Sequence, residues 1–157
     1  MRDYKSKLSW CLKNEKRMRK IAPKKDISDG HIKKAKHNLK AADFNIQGGF
    51  EDWAVSQLYY AMYHSLLAVL FRKGFESKNH ECTINAIEYL IEKNEININE
   101  EDMAFIRTTE QMTSKDAKSL REEFQYGTKT KVNEILLKKL IKKSKEIVEK
   151  IEVSLNE

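Results

Sequence analysis

The sequence predicts an all-α protein, an antiparallel up-and-down bundle of five to six helices. Its 157 residues include one proline and five glycines, too few for a turn-rich β architecture. Apolar residues recur at three- and four-residue steps in most segments, and no segment alternates with period two long enough to indicate a strand. With 34% charged and 40% hydrophobic residues, the composition excludes a disordered tail and a membrane protein. The length indicates a single domain, residues 1–157.

The first predicted element is a basic amphipathic helix over about residues 4–21, which Pro23 ends. Residues 1–25 contain ten basic and two acidic side chains, a net charge of +8, whereas residues 26–157 carry −2. The overall charge of +6 is therefore local, and any attraction to polyanions belongs first to the N-terminal segment. A solvated helix face is the alternative interpretation. The apolar positions are Leu8, Cys11, Leu12, Met18 and Ile21.

A buried central helix is predicted over residues 52–73. Its stretch of fourteen residues from Leu58 to Phe71 is apolar or aromatic on every side, which is typical of a core helix. This stretch is shorter than the ~20 residues that cross a bilayer, so we expect no membrane association. Gly74 is the expected left-handed C-cap.

The remaining helices follow from the same periodicity. We expect a second helix capped by Ser28 or Asp29 and ended by Gly48, a fourth over residues 81–93, a fifth from about Glu100 toward Phe124, and a last one over residues 131–155.

The two cysteines, Cys11 and Cys82, lie 71 positions apart without CxxC spacing. This pattern predicts no disulfide and fits a reducing cytoplasm, where we expect the protein to be. The sequence fingerprints of nucleotide, zinc and acyl-transfer sites are absent. His80 and Cys82 could supply two metal ligands, but such a pair arises easily by chance, so we expect neither a metal nor a cofactor.

A polar cluster interrupts the apolar central helix. Tyr59 and Tyr63 share one face, and Tyr60 and His64 share another, because residues four apart are neighbours on a helix. One interpretation is that these groups are satisfied in the core or in a dimer interface. The other is that Tyr60 and His64 line a cleft, where His64 could exchange a proton near neutral pH.

Two consecutive runs carry a resemblance to a known family. Residues 53–64 read WAVSQLYYAMYH, and residues 73–84 read KGFESKNHECTI. Together they resemble the HEPN family (higher eukaryotes and prokaryotes nucleotide-binding domain). Trp10, Cys11 and Pro23 upstream, and LREEFQYG over residues 120–127 downstream, extend the resemblance to about residues 10–150.

The resemblance implies a small helical domain that commonly dimerises, often pairs with a nucleotidyltransferase in toxin–antitoxin systems, and in several branches is a metal-independent ribonuclease. Nuclease members have an Arg followed, after four to six residues, by a His. Here Arg121 matches the Arg, but Tyr126 stands where the His is expected and Gln125 where an Asp is common. A phenol, with an unperturbed pKa of about 10, transfers protons poorly near pH 7. His64 or His80 could enter the cleft from another helix.

These observations predict a homodimeric RNA- or nucleotide-binding module, alone or as one component of a toxin–antitoxin pair with a nucleotidyltransferase-type antitoxin. One alternative is a metal-independent ribonuclease toxin with Arg121, Tyr126, His64 and His80 as candidate catalytic residues. Another is a non-catalytic structural dimer or scaffold. The candidate nucleic-acid-binding residues are Arg121, Tyr60, Gln125, Trp10, Lys16, Arg17, Arg19 and Lys20.

Overall fold

The computed structural model describes residues 3–113 and 132–157, with only the backbone described for residues 111–113. The all-α prediction is confirmed, because these residues form six helices and a ribbon of two three-residue strands. The helices are α1 (Tyr4–Leu12), α2 (Lys25–Gln47), α3 (Glu51–Lys73), α4 (His80–Glu92), α5 (Glu100–Thr113) and α6 (Glu134–Leu155). The antiparallel strands are β1 (Met18–Lys20) and β2 (Phe75–Ser77). None of the described helices is long and apolar enough to cross a bilayer.

Helix α3 is the central helix, as predicted. It packs against α2, α4, α5 and α6, and most of its residues from Ala54 to Phe71 are buried. Helix α2 runs antiparallel to it, since Ser28 Oγ donates to Ala68 O near one end and Asn45 Nδ2 donates to Gln57 Oε1 near the other. The apolar surface of α3 therefore has helices on several sides, which accounts for its lack of a polar face.

Gly74 ends α3 in the predicted left-handed conformation, with φ of 89°. Its N–H donates to Leu70 O, and its carbonyl accepts from Ile21 N at 2.9 Å. A Cβ at this position would lie 2.8 Å from Ile21 O. Glycine is therefore required both by the backbone angle and by the close approach of the N-terminal segment.

The predicted helix over residues 4–21 is wrong beyond Leu12. Asn14 stops it, because its backbone carbonyl accepts from Arg17 N and Met18 N while its side chain accepts from Lys16 N. An Asn side chain competes in this way with helical hydrogen bonds. Residues 18–20 then pair with β2, and Met18 is the buried residue of that strand. Met18 is therefore buried, as an apolar position of the predicted helix would be, but it lies on a strand.

The prediction of unpaired cysteines is also wrong. Cys11 near the end of α1 and Cys82 in the first turn of α4 form a disulfide, with Cα atoms 5.8 Å apart. Both residues are fully buried. The β1–β2 pairing brings the N-terminal segment back against the start of α4, a proximity that spacing along the chain does not reveal.

Several predicted helix ends also shift. Helix α2 begins at Lys25, so Ser28 and Asp29 lie inside it rather than at its cap. Helix α4 begins one residue earlier than predicted, at His80, after the Asn79 cap. Helix α6 begins at Glu134 rather than residue 131. The predicted continuation of α5 toward Phe124 lies outside the described residues.

Candidate nucleic-acid interface

Trp10 and Arg17 form a stacked pair at the surface of the N-terminal segment. The Arg17 Cζ atom lies 3.6 Å from the centre of the indole ring, a favourable cation–π geometry. The backbone fixes Arg17, because its N–H donates to Asn14 O and its carbonyl accepts from Lys78 N. Trp10 is still 47% exposed. The pair is thus an ordered, partly open aromatic and cationic surface.

Arg19 is engaged by an acidic partner on the neighbouring strand. Its Nε donates to Glu76 Oε1 at 2.9 Å, and Lys78 Nζ lies 3.7 Å from the same oxygen. The hydrogen bond with Glu76 raises the pKa of Arg19, and the same bond lowers the pKa of Glu76. Lys16 and Lys20 are exposed, and their ammonium groups form no ion pair within the described residues. Of these cations, Lys16 and Lys20 are the ones available to a phosphate.

His80 lies at the surface on the first residue of α4, next to the tyrosines of α3. Its ring stacks on Tyr63 with centroids 4.2 Å apart, and its Nδ1 lies 3.1 Å from Tyr59 Oη. Burial, with a smaller effect from the Glu110 carboxylate, raises the pKa of Tyr59 far above its ordinary value. Tyr59 therefore stays protonated, and its hydroxyl and the Nδ1 atom of His80 share a hydrogen bond in which either atom can be the donor, according to the imidazole tautomer.

Tyr60 is the exposed member of the tyrosine cluster. Its ring meets Tyr59, Tyr63 and His80 edge-on. Tyr63, in contrast, is buried, and its hydroxyl pairs with Thr83 Oγ1 at 3.1 Å. The first interpretation therefore holds for Tyr59 and Tyr63, which are satisfied core groups, whereas exposed Tyr60 lies beside His80 and not beside His64.

His64 lies apart from this surface and pairs with His31 of α2. Their Nδ1 atoms are 3.0 Å apart, and the rings are within 23° of parallel. Burial lowers the pKa of His31, and burial together with the charges of His31 and Lys34 lowers the pKa of His64 to about 4. Both imidazoles are therefore neutral near pH 7, one donating and the other accepting. His64 is a structural hydrogen-bonding group, and the structure shows no contact between it and His80.

Comparison with known proteins agrees with the helical architecture around α3. The sequence profile described as the HEPN domain matches residues 28–154. A UPF0332 protein of Archaeoglobus fulgidus is 30% identical over 127 residues, which cover 80% of this chain and 92% of the relative. The chain belongs to the HEPN domain family. The profile begins at Ser28, so the HEPN match leaves out α1, β1 and the Trp10–Arg17 pair.

Three predicted HEPN site residues lie outside the described part of the chain: Arg121, Tyr126 and Gln125. Among the other predicted residues, the structure joins Trp10 to Arg17, and separately Tyr60 to His80. In contrast, His64 is hydrogen-bonded to His31, and Arg19 is hydrogen-bonded to Glu76.

The His80–Cys82 pair considered as a metal site cannot act as one, because Cys82 is bonded to Cys11. Among residues 3–113 and 132–157, no group of three or more potential ligands converges on one point.

Three interactions cannot be predicted from the sequence pattern: His31 with His64, Glu76 with Arg19, and the Cys11–Cys82 bond. His31 lies 33 positions from His64, and Glu76 lies 57 positions from Arg19. A helical pattern relates residues three or four apart, so neither contact leaves a local signal. A β1–β2 pairing, had it been recognised, would have placed Arg19 opposite Glu76 directly.

Proposed function

We propose that this HEPN protein is a homodimeric RNA-binding module in which the N-terminal segment supplies a phosphate- and base-contacting edge. The observation that carries the proposal is the Trp10–Arg17 stack, in a segment that also contains the exposed Lys16 and Lys20. An aromatic ring and a stacked guanidinium are planar surfaces for an unpaired base, and exposed lysines attract the adjoining phosphates. A free nucleotide would use the same groups.

The test is binding of a fluorescent single-stranded RNA to the full chain, measured by anisotropy over a range of salt concentrations. We expect Trp10→Leu, which keeps an apolar side chain but removes the ring, to weaken binding at least about fivefold. Trp10→Phe should recover part of the loss. The double variant Lys16→Gln, Lys20→Gln should lower the slope of log affinity against log salt by about 1.4, because two phosphate contacts to a single strand are lost.

A matched control removes two positive charges elsewhere. Lys139 and Lys142 are exposed on α6, and Lys139→Gln, Lys142→Gln has the same net charge as the variant at residues 16 and 20. Equal loss in both variants would contradict a localised edge, and absence of salt-dependent RNA binding by the wild type would overturn the proposal. Competition by mononucleotide at micromolar concentration would identify a nucleotide rather than RNA as the ligand.

The proposed dimer has a candidate surface at the α2–α3 turn. Phe44, Phe50 and Trp53 are exposed there, Phe44 by 76%. Large apolar side chains clustered at a surface are typical of an interaction site. Sedimentation of the wild type and of Phe44→Ser, Trp53→Ser tests this assignment, and a wild type that sediments as a monomer at all concentrations would exclude it.

We propose that residues 1–157 act as one domain, since Leu8, Cys11 and Met18 join the core that contains Leu66 and Ile87. We also propose a nucleotidyltransferase-type antitoxin partner, as the family resemblance implies. The cytoplasmic location expected from the cysteine pattern stays a proposal, and the Cys11–Cys82 bond argues against the premise of unpaired cysteines on which it rested. Thiol trapping in cells followed by mass spectrometry of the Cys11–Cys82 bond tests the location, because disulfides are uncommon in reducing compartments. Co-purification with a neighbouring nucleotidyltransferase tests the partner.

A second candidate function, metal-independent ribonuclease activity, is favoured by the exposed imidazole of His80. The Tyr59 hydrogen bond orients this ring, which could move a proton from a ribose hydroxyl. Cleavage of RNA in the presence of EDTA by the wild type, lost in Arg121→Ala and in His80→Ala, would support it. Cleavage that survives both substitutions would contradict these assignments.

A further inference from the structure

A pocket of about 510 Å³ lies between the start of α1, the end of α4 and the start of α5, and none of the basic residues of the proposed RNA-binding edge is among its described lining residues. Its apolar wall includes Ile91, Met103 and Ala104, and the ring of Tyr4 forms part of the α1 side. This volume falls in the range of sites that bind small molecules.

The ionisable groups around this pocket are mostly acidic. Glu92 and Glu100 are exposed at its edge, and within the described residues their carboxylates form no ion pair. Among the described lining residues the one cation is Arg107, which donates from Nε and Nη2 to Glu88, a residue that is 6% exposed. Because Glu88 balances the charge of Arg107, the two glutamates at the edge set the sign of the pocket.

Helix stability explains one of these glutamates but not the other. Glu100 lies at the first residue of α5, where a carboxylate is favoured by the helix dipole. Glu92 is the last residue of α4, where the same dipole disfavours a negative charge. An acidic edge of this kind also contrasts with the positive charge of the whole chain.

We propose that this pocket binds a small organic ammonium ion that has an apolar or aromatic body. The ammonium group lies between Glu92 and Glu100, and the body lies against Ile91 and Met103. The Tyr4 ring adds a face that attracts cations, although Lys7 Nζ already lies 6.0 Å from its centre. This binding site is independent of the proposed RNA-binding edge.

A charge series of equal size tests the proposal on the full chain. The probes are 3-phenylpropylammonium, 3-phenylpropanol and 3-phenylpropionate, titrated while the methyl resonance of Met103 is followed by NMR. We expect the ammonium ion to bind about tenfold more tightly than the alcohol and the carboxylate to bind weakest. Equal affinity for ammonium and alcohol, tightest binding of the carboxylate, or no shift with any probe would overturn the proposal.

Substitutions locate the site. Glu92→Gln and Glu100→Gln should each weaken binding of the ammonium ion about threefold, while leaving the affinity for the alcohol unchanged. Glu95→Gln is the control, since this exposed glutamate lies in the α4–α5 connection outside the pocket lining. Ala104→Phe, at an exposed position of the lining, should abolish binding by filling the pocket. Retention of full affinity in Ala104→Phe would contradict this location.

Discussion

Cys11 and Cys82 are covalently joined across 71 residues, and their bond fastens α1 to the first turn of α4. The HEPN profile begins at Ser28, so the bond ties a segment outside the matched region to a helix inside it. The same segment provides Trp10 and Arg17 and one wall of the ammonium pocket. The disulfide therefore holds two candidate binding surfaces in place.

We expect loss of this bond to destabilise the protein markedly. Closing a loop of this length restricts the unfolded chain, and removal of such a bond costs about 2–4 kcal/mol. The free energy of unfolding of Cys11→Ala, Cys82→Ala, measured in urea, should fall by this amount. Wild type unfolded with a strong reductant present should match the double variant, whereas the variant itself should not respond to reductant. A reductant effect of equal size in the variant would contradict this origin.

The sequence predicts those parts of the fold that depend on contacts between residues close together in the chain, and not those that depend on contacts between distant residues. Helix α3 could be predicted because its signal is local, a continuous apolar run ended by Gly74. The N-terminal segment could not, because a strand of three residues is too short to show alternation, and its pairing partner lies 57 residues away. Met18 is buried through that pairing, which only the tertiary structure specifies.

The candidate site was predictable to the same limited degree. Trp10 and Arg17 could be selected from composition, as an aromatic residue within a basic segment. Their stacking depends on the Asn14 turn, which the helical interpretation did not contain. The partners of His64 and Arg19 are distant in sequence, so the sequence suggests free functional groups where the structure has hydrogen-bonded side chains.

The His31–His64 pair predicts a loss of stability in mild acid. The pKa of His64 is lowered to about 4, whereas its unfolded value is about 6.5. The unfolded chain therefore binds protons first, so stability is complete above about pH 7 and falls as the pH drops toward 4. Between pH 7 and 5 we expect His64 to cost about 1 kcal/mol, after allowing for its half-exposed ring.

Urea denaturation at several pH values measures this effect. The double variant His31→Gln, His64→Gln should be less stable at pH 7 but should show a shallower decline with acid than the wild type. His37→Gln is the control, because His37 is exposed on α2 outside the His31–His64 pair, so the pH profile of this variant should follow that of the wild type. A wild-type profile flat between pH 7 and 5 would contradict the neutral histidine pair.

Asp102, at the interface of α5 and α6, should make a second electrostatic contribution to the stability of the protein. Its carboxylate is 1% exposed and receives Lys150 Nζ at 2.6 Å and Lys143 Nζ at 3.1 Å. Burial alone would raise the pKa of Asp102, but the hydrogen bonds from these two lysines outweigh burial and lower it. Its contribution is therefore present above about pH 4, the unfolded pKa, and is lost as the pH falls through the lower folded pKa.

We expect Asp102→Asn to destabilise the protein by about 2 kcal/mol at pH 7, because both ammonium groups lose their counter-charge. Asp43→Asn provides the comparison, since Asp43 of α2 forms an exposed ion pair with Lys145 of α6 at 3.0 Å. That substitution should cost less than about 0.5 kcal/mol. Both values come from urea unfolding at pH 7, and equal costs for the two variants would contradict the distinction between buried and exposed pairs.

Substitution of glycine by alanine should change the stability of the protein in opposite directions at Gly30 and at Gly74. Gly30 lies within α2, and a Cβ there would meet no atom within 4 Å, so Gly30→Ala should stabilise the protein by about 0.5–1 kcal/mol through helix propensity. Gly74 has a positive φ, and its Cβ would meet Ile21 O at 2.8 Å. Gly74→Ala should therefore cost at least about 1–2 kcal/mol from the left-handed backbone alone. Thermal unfolding of both variants measures the difference, and a stable Gly74→Ala protein would show that the N-terminal segment can move away from the end of α3.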